Sequence, residues 1–132
     1  MKKIEWEDYF RVDFKQIDSQ HQCFVDLVNR IVDNIDSDFE ILEGLCHELI
    51  AFAKYHFLSE ENLMIKSKYP KYREHKDHHN RILATLNENI VGVQVDRKNV
   101  SELIDFLHGW FTTHTNTDDK ELGKYLDGNS NK

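Results

Sequence analysis

The fold is decided by residues 56–80, which read HFLSEENLMIKSKYPKYREHKDHHN. His56 and Glu60 are four residues apart in this stretch, and His75 and His79 repeat the same spacing further on. Residues four apart lie on one face of an α-helix, one turn above each other. The stretch therefore predicts two neighbouring helices that each present a pair of potential metal ligands, and a metal site inside a helical bundle.

Apolar residues at steps of three and four extend this pattern along the chain. We predict a first helix that begins at Asp18–Ser19 and is broken over 34–38. Further helices are predicted over about 38–66, 70–90 and 99–114, with Val91–Gly92 closing the third. Residues 1–17 have no helical period, and we expect an irregular arm whose aromatic side chains pack on the helices.

These elements define an all-α fold. Four amphipathic helices with short connections predict an antiparallel up-down-up-down four-helix bundle, with an irregular N-terminal arm and a short C-terminal helix. The length of 132 residues predicts a single domain over 1–132. No run of 18 apolar residues occurs, so we expect no membrane span.

Composition narrows the class of protein. The net charge of −7 argues against nucleic acid and anionic membrane surfaces as partners. The first residues turn acidic at once and lack an apolar core, so we expect no signal peptide and a cytoplasmic location. The two cysteines, Cys23 and Cys46, match no metal motif, and we predict thiols that serve as small apolar packing residues.

Histidines are unusually frequent on the predicted core faces. A single core histidine is more often a buried ring that is hydrogen-bonded to a neighbour. Several such rings cannot easily satisfy one another, and each unpartnered polar group costs ~1–3 kcal/mol, so a metal centre is the better interpretation. The remaining histidines, His47, His78 and His108, are predicted to face solvent. Of the eight histidines, five fall on core positions: His21, His56, His75, His79 and His114.

The types of ligand limit the metal. Imidazole and carboxylate without thiolate suit iron, manganese or zinc. Five imidazoles and two carboxylates that can bridge are too many for one ion and indicate two. A ferritin-type site uses Glu-x-x-His pairs and is rich in carboxylates, whereas His56 and Glu60 stand in the reverse order.

With this set of histidines and carboxylates, the chain resembles the hemerythrin family, and most closely its single-domain bacterial members. The resemblance extends over the whole chain and includes Trp6, the segment 17–21 and the segment 119–126. It implies a di-iron centre with an oxo or hydroxo bridge, one iron held by three histidines and the other by two. The implied ligands are His75, His79 and His114 for one iron, His21 and His56 for the other, and Glu60 and Asp119 as bridges.

The second bridging carboxylate has two candidates. On a regular helix Asp118, four residues after His114, suits the ligand face better than Asp119 does. The spacing in the family favours Asp119. If Asp119 is the ligand, the helix must end or distort just after His114.

The family also implies a function. Six donors on the first iron and five on the second leave one open position, at which O2 would bind reversibly and small anions such as azide would compete. The resemblance therefore implies oxygen carriage or storage rather than an enzyme; a sensor of oxygen, redox state or iron and a di-iron oxidase or peroxidase are the alternatives. The apolar wall beside the open position is predicted to contain Phe24, Val25, Phe52 and Trp110.

Overall fold

The computed structural model describes residues 2–130, and the side chains of residues 2–128. Its five α-helices are connected by short turns and by one π-helical segment. Two 3-10 turns, Asp8–Phe10 and Arg97–Asn99, precede the first and fourth helices. The helices are α1 (Lys15–Asp33), α2 (Phe39–Ser67), α3 (Tyr72–Val95), α4 (Val100–His114) and α5 (Lys120–Ser130), and Thr115–Asp119 form the π-helical segment.

The first four helices form the predicted bundle. Each of α1–α4 packs against the next, and α4 returns to α1. Helix α2 ends just before Lys68, whose backbone has a left-handed φ of 58°, and a short turn then leads into α3. Two bonds close this end of α2, from Lys68 N to Ile65 O and from Tyr69 N to Met64 O. The prediction that Pro70 starts the third helix is wrong, since α3 begins at Tyr72.

Two other predicted helix boundaries are also wrong. Helix α1 begins at Lys15 rather than at Asp18–Ser19, because Asp18 accepts a hydrogen bond from the backbone N–H of Val12 at 2.8 Å and ties down the arm. Helix α3 continues through Gly92 to Val95. Val93 is buried and extends the apolar face of α3 by one more turn, which outweighs the low helix propensity of glycine.

The N-terminal arm is irregular, as predicted, and packs its aromatic rings on the bundle. Phe10 is buried, and its ring lies 4.9 Å from that of Phe111. Further along, Val12 packs with α5 in a second apolar cluster. A Cβ at Gly123 would lie 2.5 Å from the Val12 carbonyl oxygen, so only glycine permits this contact between the arm and α5.

Burial of some side chains differs from the predictions. Phe57 and Phe111 are almost fully buried, whereas Phe52, which was predicted for the apolar wall, is only partly buried. Cys46 is buried as predicted, but Cys23 is exposed, so its assignment as a packing residue is wrong. In the described part of the chain, no helix is both long enough and apolar enough to cross a membrane.

Candidate metal centre

The bundle brings all seven predicted ligands together in its interior. They come from α1, α2, α3, α4 and the end of the π-helical segment, and each is at most 4% exposed. Their ligand atoms form two groups, and within each group the atoms lie within 4.8 Å of one another. The groups are His75, His79 and His114 with Glu60 and Asp119, and His21 and His56 with the same two carboxylates.

Glu60 contributes one oxygen to each group. Its Oε1 lies 3.0 Å from His79 Nε2 and 3.2 Å from His75 Nε2. Its Oε2 lies 3.1 Å from His56 Nε2 and 3.8 Å from His21 Nε2. The carboxylate therefore spans the space between the three-histidine group and the two-histidine group.

The two carboxylate oxygens of Asp119 are also shared between the two histidine groups. Its Oδ1 lies 3.0 Å from His114 Nε2 and 3.3 Å from His75 Nε2. Its Oδ2 lies 3.0 Å from His21 Nε2. Two carboxylates that each present one oxygen to each histidine group are arranged to bridge two cations.

Unsatisfied polar atoms concentrate at this centre. Seven buried side-chain nitrogen or oxygen atoms of the described residues make no aligned hydrogen bond, and six of them belong to predicted ligands. Buried polar groups are rarely left without partners, and each costs ~1–3 kcal/mol. Neutral imidazole nitrogens and carboxylate oxygens are ligands that iron, manganese and zinc accept. The donor set therefore fits a pair of such cations.

A π-helical segment delivers Asp119 to the centre. On a regular α-helix, Asp119 would point away from the face that carries His114. Thr115–Asp119 instead form a π-helix, whose i to i+5 hydrogen bonding brings a residue above the one five positions earlier. Because His114 and Asp119 are five residues apart, the π-helix brings Asp119 onto the face that carries His114. The π-helix confirms the predicted distortion after His114.

Three of the five imidazoles have an oxygen acceptor at the nitrogen that faces away from the centre. His56 Nδ1 lies 2.6 Å from Gln20 Oε1, and His79 Nδ1 lies 3.1 Å from Glu61 Oε2. His114 Nδ1 lies 3.3 Å from Asp118 Oδ2. An acceptor at Nδ1 retains the proton there and leaves Nε2 as the ligand atom.

The three histidines predicted to face solvent differ from one another. His47 is exposed, and His108 hydrogen-bonds the carbonyl oxygen of Lys2 at 2.7 Å. For His78 the prediction is wrong: its side chain is two-thirds buried, and its Nδ1 lies 2.6 Å from Asp118 Oδ2. His78 thus supports Asp118, which in turn contacts His114.

Aromatic rings enclose the centre on the side of the bundle core. Phe57 stacks on His79 with ring centroids 4.0 Å apart, and Phe111 meets the edge of His21 at 5.6 Å. Phe24 and Trp110, both predicted for this wall, contact each other at 4.9 Å. The rings exclude water from this side and raise the electrostatic cost of an uncompensated charge.

The electrostatics favour positive charge in the middle of the site. Burial works against ionisation of Glu60 and Asp119, yet the surrounding imidazoles hold the pKa of both carboxyls well below the usual range. Burial also opposes protonation of His75 and His114, but the two carboxylates raise the imidazole pKa to about 9 and about 10. Without a cation, the protonated rings of His75 and His114 therefore balance the charge of the two ionised carboxylates.

Sequence reasoning did not find Gln20, Glu61 or the role of Asp118 as an acceptor. A usable signal existed for Gln20, which is adjacent to the predicted ligand His21, and for Glu61, which is adjacent to Glu60. Neither signal indicates which imidazole the side chain contacts. Gln20 on α1 contacts a histidine on α2, and Glu61 on α2 contacts one on α3.

Comparison with known proteins identifies the family. The family model described as the hemerythrin HHE cation binding domain matches residues 12–126. A bacteriohemerythrin of Clostridium acetobutylicum is 26% identical over 129 residues, covering 92% of this chain and 98% of the relative. A bacteriohemerythrin of Pseudomonas aeruginosa is 28% identical over 120 residues, covering 90% and 78%.

A myohemerythrin and a solved hemerythrin structure are also similar to this chain. A myohemerythrin of Riftia pachyptila is 26% identical over 109 residues, covering 83% of this chain and 82% of the relative. A crystal structure of a hemerythrin mutant superposes with a TM-score of 0.81 at 23% identity, covering 96% of this chain and 98% of that one, which establishes the common fold. The chain belongs to the hemerythrin family, whose HHE cation binding domain accounts for most of its length.

Proposed function

We propose that this protein is a non-heme di-iron protein that binds O2 reversibly, for carriage or storage. The proposal rests on the placement of two carboxylates. Glu60 and Asp119 each direct one oxygen toward the group of three histidines and the other oxygen toward the group of two. The proposed domain is a single hemerythrin-like unit over residues 1–132, of which Met1 and 131–132 lie outside the described residues.

The proposed ligand assignment follows the two groups. His75, His79 and His114 would hold one iron and His21 and His56 the other, and Glu60 and Asp119 would be shared between them. When bound, the iron pair would supply the redox chemistry on which reversible O2 binding depends. Because the protein gives one imidazole fewer to the second group, that side would have one position for an external ligand.

The surrounding side chains keep this position dry and the ligand rings oriented. Phe24, Phe111 and Trp110 form a continuous aromatic contact beside His21. An apolar surrounding excludes water, and this protects a reduced metal centre from reactions that need a proton or a hydrated anion. Gln20 fixes the ring of His56, the other imidazole of this group, through the hydrogen bond at Nδ1.

The titratable groups near the centre favour binding of O2 over its catalytic turnover, because each of them is already paired with another side chain. Glu61 and Asp118 both contact a nitrogen of a proposed ligand, and His78 contacts Asp118. These groups support the donors rather than standing free at the position for the external ligand. A general acid or base would have to reach the substrate within hydrogen-bonding distance.

The proposal is tested by metal analysis and gas exchange on protein expressed with ample iron. We expect about two iron atoms per chain, azide binding once per iron pair to the oxidised protein, and intact O2 released from the reduced protein under lowered pressure. His114→Ala should lose iron, whereas His47→Ala, which changes an exposed histidine, should retain it. One zinc without iron would overturn the proposal, and consumption of O2 would favour the oxidase.

A further inference from the structure

The outward face of α2 carries an apolar stripe that the metal centre does not use. Of the seven large hydrophobic residues that are most exposed among those described, four lie on this helix. They are Ile41, Tyr55, Leu58 and Ile65, each about half exposed. The exposed positions of α1 and α4 are mainly polar or charged by comparison.

The stripe has a regular spacing. Starting at Ile41, steps of three and four alternate without interruption to Ile65, and all eight positions on this path are exposed. Alternating steps of three and four form the seam along which one helix pairs with another in a coiled coil. The eight positions, which we call the α2 seam, are Ile41, Gly44, Glu48, Ala51, Tyr55, Leu58, Asn62 and Ile65.

Charge is distributed unequally along α2. The exposed or half-exposed side chains near its start are acidic: Glu40, Glu43 and Glu48. Those in its second half, and just beyond its end, are basic: Lys54, Lys66 and Lys68. The acidic Glu60 and Glu61 of that half point into the bundle and do not offset the basic side chains at the surface.

We propose that the α2 seam is the interface of a homodimer in which two copies of α2 pair in antiparallel orientation. A twofold axis near residue 53 places Ile41 of each copy opposite Ile65 of the other, and Tyr55 opposite the small Ala51. The same axis sets the acidic half of each helix beside the basic half of its partner. Such an interface is self-complementary, as twofold symmetry requires.

Parallel pairing would lose these contacts. It would bring the acidic start of each helix close to the acidic start of the other and the basic end close to the basic end, so like charges would gather at each end of the seam. The antiparallel arrangement also sets the two helix dipoles in opposite directions. Since the seam lies on the outside of the bundle, the dimer leaves the ligands of both metal centres in place.

The oligomeric state of the iron-loaded protein tests this proposal. We expect light scattering after gel filtration to give a dimer mass that falls to the monomer mass on dilution. Leu58→Glu should shift the protein to monomer while its helix content and iron content stay unchanged, because the twofold axis sets position 58 of each copy opposite Glu48 of the other. Val95→Glu is the matched control, because Val95 is 81% exposed but lies on α3, and this variant should remain dimeric.

Charge reversal tests the orientation. Glu40→Lys should weaken the dimer, and adding Lys68→Glu in the same chain should restore it, since these positions lie on the same flank of the antiparallel seam. A protein that is monomeric at every concentration would overturn the proposal, as would a dimer that Leu58→Glu leaves intact. A dimer that Leu58→Glu breaks, but that the double reversal does not restore after Glu40→Lys, would exclude the antiparallel pairing.

Discussion

Glu61 accepts a hydrogen bond from Nδ1 of His79 at 3.1 Å, and this contact turns the opposite nitrogen of the ring toward the metal centre. Glu61 and the neighbouring Glu60 are both buried, and they contact opposite sides of the same imidazole. One carboxylate therefore orients the ligand ring that the other one meets inside the site.

Replacing Glu61 with glutamine tests this relationship. Glu61→Gln keeps the shape of the side chain but removes its charge, so we expect metal affinity to fall by about 10–100-fold, as for other residues behind metal-binding histidines. Competition with a chelator measures the affinity. Glu88→Gln, an exposed change on α3, is the control and should have no effect. Equal affinities for the two variants would mean that Glu61 does not position His79.

The two neighbouring aspartates should behave differently. Asp119→Ala removes both oxygens that face the imidazoles inside the site, so we expect loss of the metal pair. Asp118→Ala removes a contact at the outer nitrogen of His114 and should retain metal at reduced affinity. Metal content and the absorption spectrum distinguish them. The reverse result would make Asp118 the bridge and contradict the role of the π-helical segment.

Truncation of Phe57 should destabilise the fold more than truncation of Phe52. Phe57 is 1% exposed and stacks on His79, whereas Phe52 is only partly buried. We expect Phe57→Ala to lower the free energy of unfolding by about 3–5 kcal/mol, the usual cost for a buried aromatic side chain. Denaturant unfolding of the metal-free variants measures both. An equal or larger loss for Phe52→Ala would contradict the deeper burial of Phe57.

The stability of the metal-free protein should depend on pH in a defined direction. In the folded state the carboxylates raise the pKa of His75 from 6.5 to about 9 and that of His114 to about 10. The stabilisation from their protonated rings is complete below the unfolded value of 6.5 and is lost as pH rises through the folded values. We therefore expect a lower unfolding midpoint at about pH 9 than at about pH 6.

At low pH, the stability of the metal-free protein should depend on the two buried carboxylates. The pKa of Glu60 and of Asp119 is lowered on folding, so their contribution is present above the ordinary carboxyl range and is lost as pH falls through the folded values. Metal binding must displace the protons on His75 and His114, so metal affinity should rise with pH. A metal-free protein that gains stability between about pH 6 and about pH 9 would contradict this assignment.

Removal of the metal should itself lower stability. Without cations, the centre retains buried imidazoles and carboxylates with atoms that make no aligned hydrogen bond. Metal binding contributes directly to folding free energy when the site exists only in the folded chain. We expect a markedly lower thermal midpoint for the metal-free protein than for the loaded one. Equal midpoints would show that the cluster is stable without the metal.

Much of the architecture could be predicted from periodicity. The steps of three and four identified four helices and placed five histidines on their inner faces, and all five are buried. The least accurate predictions concerned the helix ends. Asp18 looked like a helix start, yet its side chain binds the arm instead. A capping residue contacts whichever backbone N–H the tertiary structure brings close, and sequence spacing does not specify that partner.

The partners of the ligand rings could not be predicted either. The environments predicted for Cys23 and His78 were wrong, because a residue at the edge of a helical face turns inward or outward according to the rotation of the helix. The contact between Gln20 and His56 joins two helices. This contact depends on how far α1 and α2 are shifted along each other when they pack, and a single sequence does not specify that shift.

The sequence by itself determined which side chains share a face, since helical geometry follows from local backbone structure and needs no partner. His56 with Glu60, and His75 with His79, are consequences of that geometry. The tertiary structure alone decided that each carboxylate is divided between two histidine groups. That division requires four helices at a common depth and a π-helical segment that turns Asp119 inward.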